Sequence, residues 1–390
     1  MITYNERRFI LLYLSTFAVF AVIAPYLSIM VRDLGYSPLW VGILLTVYEG
    51  AGIAGPFIFG YCADKTGSYK YPLLVSCGLP ALAAIPLVLW VHPAFNAILL
   101  ALMAIGIKSN LSLVDAITTI NIEKRENYGK IRVWGSVCFI FVTLFLQWTR
   151  FMKPVSAVNI SRWVTVFSLV SIVPILLLNE NIFKFSSEKR TVQPDGKAAD
   201  DSVTPVVNPF YVLGGFGIIF LSRLAMAAIY SYFPLYIIEE IKWNAVGILY
   251  ALSSLSELPF MFLSARLIRR FGPIHLLAVS AAGICLRLLI LSLFPFKPFI
   301  VAAQLLHSLC FGIYYPAAIY FTASVFSDKN RGKGMSVFLA LGSGLPSLIG
   351  ILVGGAVIEA IGFRFLFFLY ACVAGLAVVI YAFLRKRQSF

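Results

Sequence analysis

FSSEKRTVQPDGKAADDSVTPVVNP, residues 185–209, is a long polar stretch in a chain that is otherwise apolar. Pro, Gly, Ser and Asp stand where aliphatic residues dominate elsewhere, which is the composition of a flexible linker rather than a packed element. Outward from it in both directions, apolar runs of about 20 residues, the length that crosses a bilayer as a helix, follow one another. Six precede the linker, at 9–31, 39–61, 71–91, 96–121, 131–149 and 163–180. Six follow it, at 209–236, 245–264, 273–293, 299–322, 335–357 and 363–384. Of the 390 residues, 60% are hydrophobic and 12% charged, whereas a soluble domain carries roughly twice that share of charge. The expected fold class is an all-α polytopic membrane protein of twelve transmembrane helices. Its two six-helix halves are 1–184 and 209–390, joined by a cytoplasmic linker at 185–208. The first run follows MITYNERR with no small-residue cleavage site, so a retained helix is expected rather than a signal peptide.

A net charge of +14 raises nucleic acid as a partner, but the positions of the charges argue against it. With the N-terminus inside, 21 of the 31 basic residues fall in cytoplasmic segments and 7 in outer loops. Such a bias orients membrane helices and places both termini in the cytoplasm. The expected location is the cytoplasmic (inner) membrane, with lipid as a partner, no nucleic acid, and a monomeric state. The six cysteines lie in or beside spans without a C-x-x-C pair, so they read as small apolar residues rather than disulfides or metal ligands. Asn159-Ile-Ser161 fits a glycosylation triplet on an outer loop, although such triplets are common by chance.

The halves are weakly alike at an offset near 205. Val41-Gly42-Ile43-Leu44 returns as Val246-Gly247-Ile248-Leu249, and each is followed by a span containing Pro-Phe, at 56–57 and 259–260. Asn127-Tyr-Gly-Lys130 is echoed by Asn330-Arg-Gly-Lys333. Their common order and spacing indicate duplication, which places a solute site between the halves near the midplane. Asp115 and Arg132 have no charged counterparts at the matching positions, near Ala318 and Met335 respectively. Scaffold features repeat where these charges do not, which weights them toward function.

Seven charged residues lie within or at the edge of spans: Glu49, Lys108, Asp115, Arg132, Arg223, Glu257 and Arg287. Each costs roughly 2.5–3.5 kcal/mol at a helix centre. Unpaired, the set would cost on the order of 20 kcal/mol, above a typical net stability of about 5–15. They must pair or line a wet cavity. Helical spacing groups them: Lys108, Ser112 and Asp115 share a face of span four, and Tyr250, Ser253, Ser254 and Glu257 one of span eight. Gln304, His307 and Tyr314 share a face of span ten, and Arg223 and Tyr230 one of span seven. Helix-to-helix hydrogen bonding is the competing, purely structural reading. Burial disfavours charge on a carboxylate and a nearby cation favours it. Glu257 beside Arg287 is therefore expected to take up and release a proton as that pair opens and closes. His307 titrates in the right range, but a lone histidine on a transmembrane face also serves as a plain hydrogen-bonding group. Glu49 is either a second proton site or the structural partner of Lys108.

GYCADKTGSYKY, residues 60–71, joins spans two and three. Gly60 is expected to allow close helix approach, Asp64 to sit at the membrane edge, Gly67 to permit a tight turn, and Lys70 to hold the inner side. This loop resembles the G-x-x-x-D-x-x-G-x-x-[RK] motif of the major facilitator superfamily, where the aspartate stabilises one conformation through neighbouring helix ends. The second-half equivalent, ARLIRRFG at 265–272, lacks the acid. The loop is thus expected to be a conformational element rather than a substrate site.

Within that superfamily, four stretches are similar to the lactose permease group, which includes phenylpropionate permeases and nucleoside–proton symporters. They are FGYCADKTGSYKY, VDAITTINIEKRENYGKIRVWGSVCF, ALSSLSELPFMFLSARLIRRFG with ICLRLL, and AQLLHSLCFG. The resemblance implies that Asp115 and Arg132 form a solute-contacting pair. It further implies that Glu257 joins binding to protonation, and that Arg287 and His307 support it. The pattern's lysine three residues before the histidine is Gln304 here, and its coupling glutamate three residues after is Cys310. The proton burden shifts to Glu257, and Lys108 and Arg223 are extra cations beside the pattern.

The expected function is proton-coupled uptake of a small organic solute (aromatic carboxylate, sugar or nucleoside) by alternating access, with the proton as coupling ion and no other cofactor. A proton-driven exporter of drugs or metabolites on the same fold is the alternative. Substrate contacts fall to Asp115, Arg132, Lys108, Arg223 and Arg287, and proton coupling to Glu257, His307 and Glu49. No nucleotide loop, metal cluster or Ser/His/Asp set with supporting context argues for an enzyme.

Overall fold

The computed structural model describes residues 4–122, 127–149, 151–184, 208–326 and 330–388. The expected linker, 185–208, lies outside them but for its last residue. The first six helices are α1 (Tyr4–Asp33), α2 (Pro38–Thr66), α3 (Lys70–Leu89), α4 (Pro93–Asn121), α5 (Asn127–Trp148) and α6 (Ala157–Leu177). Then come α7 (Pro209–Leu235), α8 (Val246–Phe271), α9 (Pro273–Leu293), α10 (Lys297–Leu305), α11 (Tyr314–Val325), α12 (Arg331–Leu339), α13 (Leu345–Ala360) and α14 (Phe363–Gln388). Proline opens α2, α4, α7 and α9, where its missing N–H would have no helical partner anyway. Among the described residues, eleven helices are long and apolar enough to cross a bilayer. A bent pair, Val246–Phe260 and Leu263–Phe271 at 58°, makes a twelfth.

Among the described residues, wide π turns occur at Tyr236–Glu240, which ends the span begun by α7, and at Ser308–Ile313 and Ala340–Gly344, which interrupt spans. The second joins α10 to α11 and the third joins α12 to α13, so each pair is one span. A π turn inserts a residue into the helical count and re-aims everything after it. Gln304 and His307 precede the turn in span ten, and Tyr314 follows it. Tyr314 therefore leaves the shared face expected from spacing and donates to the carbonyls of Ile219 and Gly342.

Contacts group the chain into two compact units, Met1–Pro194 with Ala245–Ala251, and Asp195–Asn244 with Leu252–Phe390. In the first, α4 packs on α2 and α3, while α1 packs on α5 and α6 and α3 on α6. Its buried core includes Leu12, Leu73, Val114, Ile117 and Ile131. In the second, α7 packs on α13 and α14, and α9 on α14, around Ile219, Leu277, Ala317 and Phe321. The neighbours of α1 and α3 thus recur around α7 and α9, as a duplicated bundle requires. Large apolar side chains such as Phe57, Leu82, Leu89, Trp148 and Leu177 are exposed, which suits lipid rather than water.

The helix boundaries remove the glycosylation reading. Ser156 accepts a hydrogen bond from the Asn159 backbone at 3.3 Å and starts α6 six residues earlier than expected. That places Ser161 inside the bundle, 1% exposed, donating to the Ala84 carbonyl at 2.5 Å.

Candidate functional site

In the first unit, α4 carries the central charges. Asp115 Oδ1 accepts the hydroxyl of Tyr13 on α1 at 2.5 Å and that of Tyr128 on α5 at 2.9 Å. Arg132, one turn beyond Tyr128, brings Nε to 3.7 Å from the same oxygen. The ion pair named from sequence is present, but it is long, and the two side chains are 38% and 31% exposed. Such a pair is worth about 0–1 kcal/mol, whereas a hydrogen bond to a charged group contributes about 1.5–3. The tyrosines fix Asp115. Two turns earlier on α4, Lys108 Nζ lies 3.2 and 3.3 Å from the carboxylate oxygens of Glu49 on α2, near the face of Tyr48. Glu49, expected as either a second proton site or the structural partner of Lys108, is in contact with Lys108. Sequence reasoning missed Tyr13 altogether, since it lies 102 residues from Asp115 and no local period links them.

In the second unit, Arg287 on α9 is 1% exposed. Its Nη2 donates to Gln304 Oε1 at 2.6 Å, and its Nη1 lies 2.9 Å from His307 Nδ1. Ser253 on α8 donates to the same Gln304 oxygen at 2.6 Å. His307 Nε2 faces Glu257 Oε2 at 3.7 Å. These contacts fix the histidine's tautomer: a guanidinium only donates, so Nδ1 accepts and the remaining ring proton sits on Nε2, toward Glu257. Arg287 was expected to pair directly with Glu257. Instead its partners are His307 and Gln304, because the glutamine replacing the family pattern's lysine offers an oxygen that the guanidinium takes. Arg223 on α7 donates Nε to Ser347 Oγ at 3.0 Å and lies over the Tyr230 ring, 5.0 Å from its centre. The i, i+7 face read from sequence is therefore real.

At the loop between α2 and α3, Gly67 caps α2 with φ 65°, a left-handed conformation that glycine adopts without strain. Asp64 is exposed near the end of α2. Gly60 does not mediate close packing, because a Cβ there would meet nothing within 4 Å among the described residues. The close approach is at Gly55, whose added Cβ would lie 2.6 Å from Ser109 Oγ and 2.7 Å from the Ile105 carbonyl. Lys70 pairs with Glu180 just beyond α6 at 2.8 Å, and the Tyr69 N–H reaches the Phe183 carbonyl at 2.9 Å. The Lys70 hydrogen bond holds the Glu180 carboxyl below its ordinary range. The loop is thus latched to the end of α6, a contact the sequence did not suggest.

A helical bundle that repeats its own packing and concentrates paired charges inside apolar helices defines a polytopic solute carrier. The chain belongs to the MFS_1 like family, whose model matches residues 7–369. It is an integral multi-pass membrane protein and a secondary transporter of a small solute, in a family of transporters rather than enzymes. It is 24% identical over 393 residues to a maltose permease of Geobacillus stearothermophilus, covering 99% of this chain and 96% of that one. It is also 24% identical over 361 residues to a probable 3-phenylpropionic acid transporter of Escherichia coli K12, covering 88% and 89%. Among solved structures, the nucleoside transporter NupG superposes with a TM-score of 0.77 at 15% identity, over 98% of this chain and all of that one.

Proposed function

We infer that the chain couples inward proton movement to uptake of a small organic solute by alternating access, with six-helix halves at 1–184 and 209–390 and a cytoplasmic linker at 185–208. The solute contacts are Asp115, Arg132 and Lys108 in the first half and Arg223 and Arg287 in the second. Glu257 carries the proton. The observation that supports this most is the seating of His307. Arg287 occupies Nδ1, so protonating the ring would set one donor against another, and the group left to exchange a proton is the Glu257 carboxyl opposite Nε2. His307 relays position rather than charge, and Glu49 neutralises Lys108. The bias of basic residues supports cytoplasmic termini in an inner membrane, and Gly67, Asp64 and Lys70 belong to the loop that moves between states.

The experiment compares two transport modes in proteoliposomes. Wild type is expected to accumulate its solute when the outside is acid, and to exchange it without a gradient. Glu257→Gln, fixed in the neutral form, is expected to lose accumulation and keep exchange. Accumulation unchanged in that variant overturns the assignment.

A further inference from the structure

Among the described residues of the second unit, four groups able to donate hydrogen bonds are buried without a partner: Ser222 Oγ, the Tyr230 hydroxyl, Arg287 Nε and Gln304 Nε2. The last three belong to one cluster, since Gln304 and His307 both contact Arg287 and the Tyr230 ring meets the His307 ring edge-on at 6.4 Å. Native interiors satisfy nearly all such groups, and what is lacking here is in each case an acceptor. The charges make the same point. In the first unit, Glu49 is paired with Lys108 and Asp115 with Arg132. In the second, Arg223 and Arg287 stand against Glu257, and both arginines contact neutral groups: Ser347 and Tyr230 for one, Gln304 and His307 for the other. Arg223 Nε is held by Ser347. Beside them runs a row of rings. Phe311 lies parallel to His307 at 6.0 Å, edge-on to Tyr230 at 6.3 Å, and stacked against Tyr315 at 6.0 Å.

We propose that this cluster is a carboxylate subsite for an aromatic organic acid. The solute's carboxylate docks on the Arg223 guanidinium and the Tyr230 hydroxyl, the orphaned donors of Arg287 and Gln304 complete its coordination, and its ring lies along Phe311. A planar guanidinium suits a two-oxygen anion. Ordered water would satisfy the donors but would leave the surplus positive charge in place. The proposal rests on the transport reading only for the solute's passage, because binding is measurable by itself.

The test is calorimetric titration of the full-length protein in nanodiscs, at constant chloride, with benzoate and 3-phenylpropanoate against their primary amides. The expected result is binding of the carboxylates, with the amides weaker by at least about tenfold. Arg223→Gln is expected to lose at least about tenfold in affinity for the carboxylate alone, Arg223→Lys to recover part of it, and Tyr230→Phe to lose about threefold to tenfold. Equal binding of acid and amide overturns the proposal, as does full affinity in a folded Arg223→Gln protein. If that variant does not fold, the preference of the wild type for acid over amide decides. No carboxylate binding at millimolar concentration also overturns it, the cluster then holding water only. Proton-driven uptake of a neutral solute without carboxylate binding sinks the subsite and leaves the coupling. Carboxylate binding without proton-driven flux does the reverse.

Discussion

Asp115 accepts two hydroxyls at 2.5 and 2.9 Å while Arg132 stands 3.7 Å away, so stability and function separate at this residue. Arg132→Gln removes a half-exposed pair worth about 0–1 kcal/mol. The melting midpoint of the purified protein should therefore barely move, while solute affinity falls. Asp115→Ala strands two tyrosine hydroxyls, each a loss of about 1–3 kcal/mol, and should lower the midpoint measurably. The reverse ranking in a detergent melting series would show that Arg132, not the tyrosines, anchors the acid. Asp115 and Arg132 were legible because a carboxylate and a guanidinium in apolar runs are conspicuous. Tyr13 was not, because tyrosine in a transmembrane helix has many roles and its distant partner leaves no local spacing. The contacts of Arg287 were half legible: its need for a partner followed from its cost, but which oxygen it would take depended on Gln304.

At the scale of the helix, hydropathy found the spans and misjudged their details. A one-residue insertion leaves mean hydropathy untouched, so the π turn at Ser308–Ile313 was invisible although it turns Tyr314 away from His307. Glycine likewise shows no sequence mark distinguishing a crowded position from an open one. Gly55→Val should force α2 off α4 and destabilise by about 1–3 kcal/mol, whereas Gly60→Ala should leave the melting midpoint unchanged or slightly raised. Equal losses at the two positions would contradict the packing described for α2. The latch between Lys70 and Glu180 gives a pH dependence with a defined sign. Lys70 lowers the folded-state value of Glu180, so the latch's contribution is present above the unfolded carboxyl's value and disappears as pH falls through the lowered one. Glu180 is exposed and the effect small. Lys70→Gln should lower the midpoint slightly near neutrality and leave it unchanged at low pH, which flattens the acid limb of the midpoint-versus-pH curve.

Over the whole molecule, the duplication read from short matches such as Val41–Leu44 and Val246–Leu249 returns as a repeated pattern of helix neighbours, because packing follows the same small-residue and apolar faces in both copies. The charges depart from that repeat. One unit balances two acids with two bases; the other holds Glu257 with Arg223 and Arg287. On the proposed reading, the second unit holds both the acid that exchanges the proton and the cations that meet the solute's carboxylate. The central claim is that solute and proton cross together. The most direct measurement uses proteoliposomes with a pH-reporting dye in the lumen and no initial gradient, to which transported solute is added outside. The account predicts solute-dependent acidification of the lumen in wild type and none in Glu257→Gln. Solute entry without acidification, or acidification of equal rate in Glu257→Gln, would contradict it.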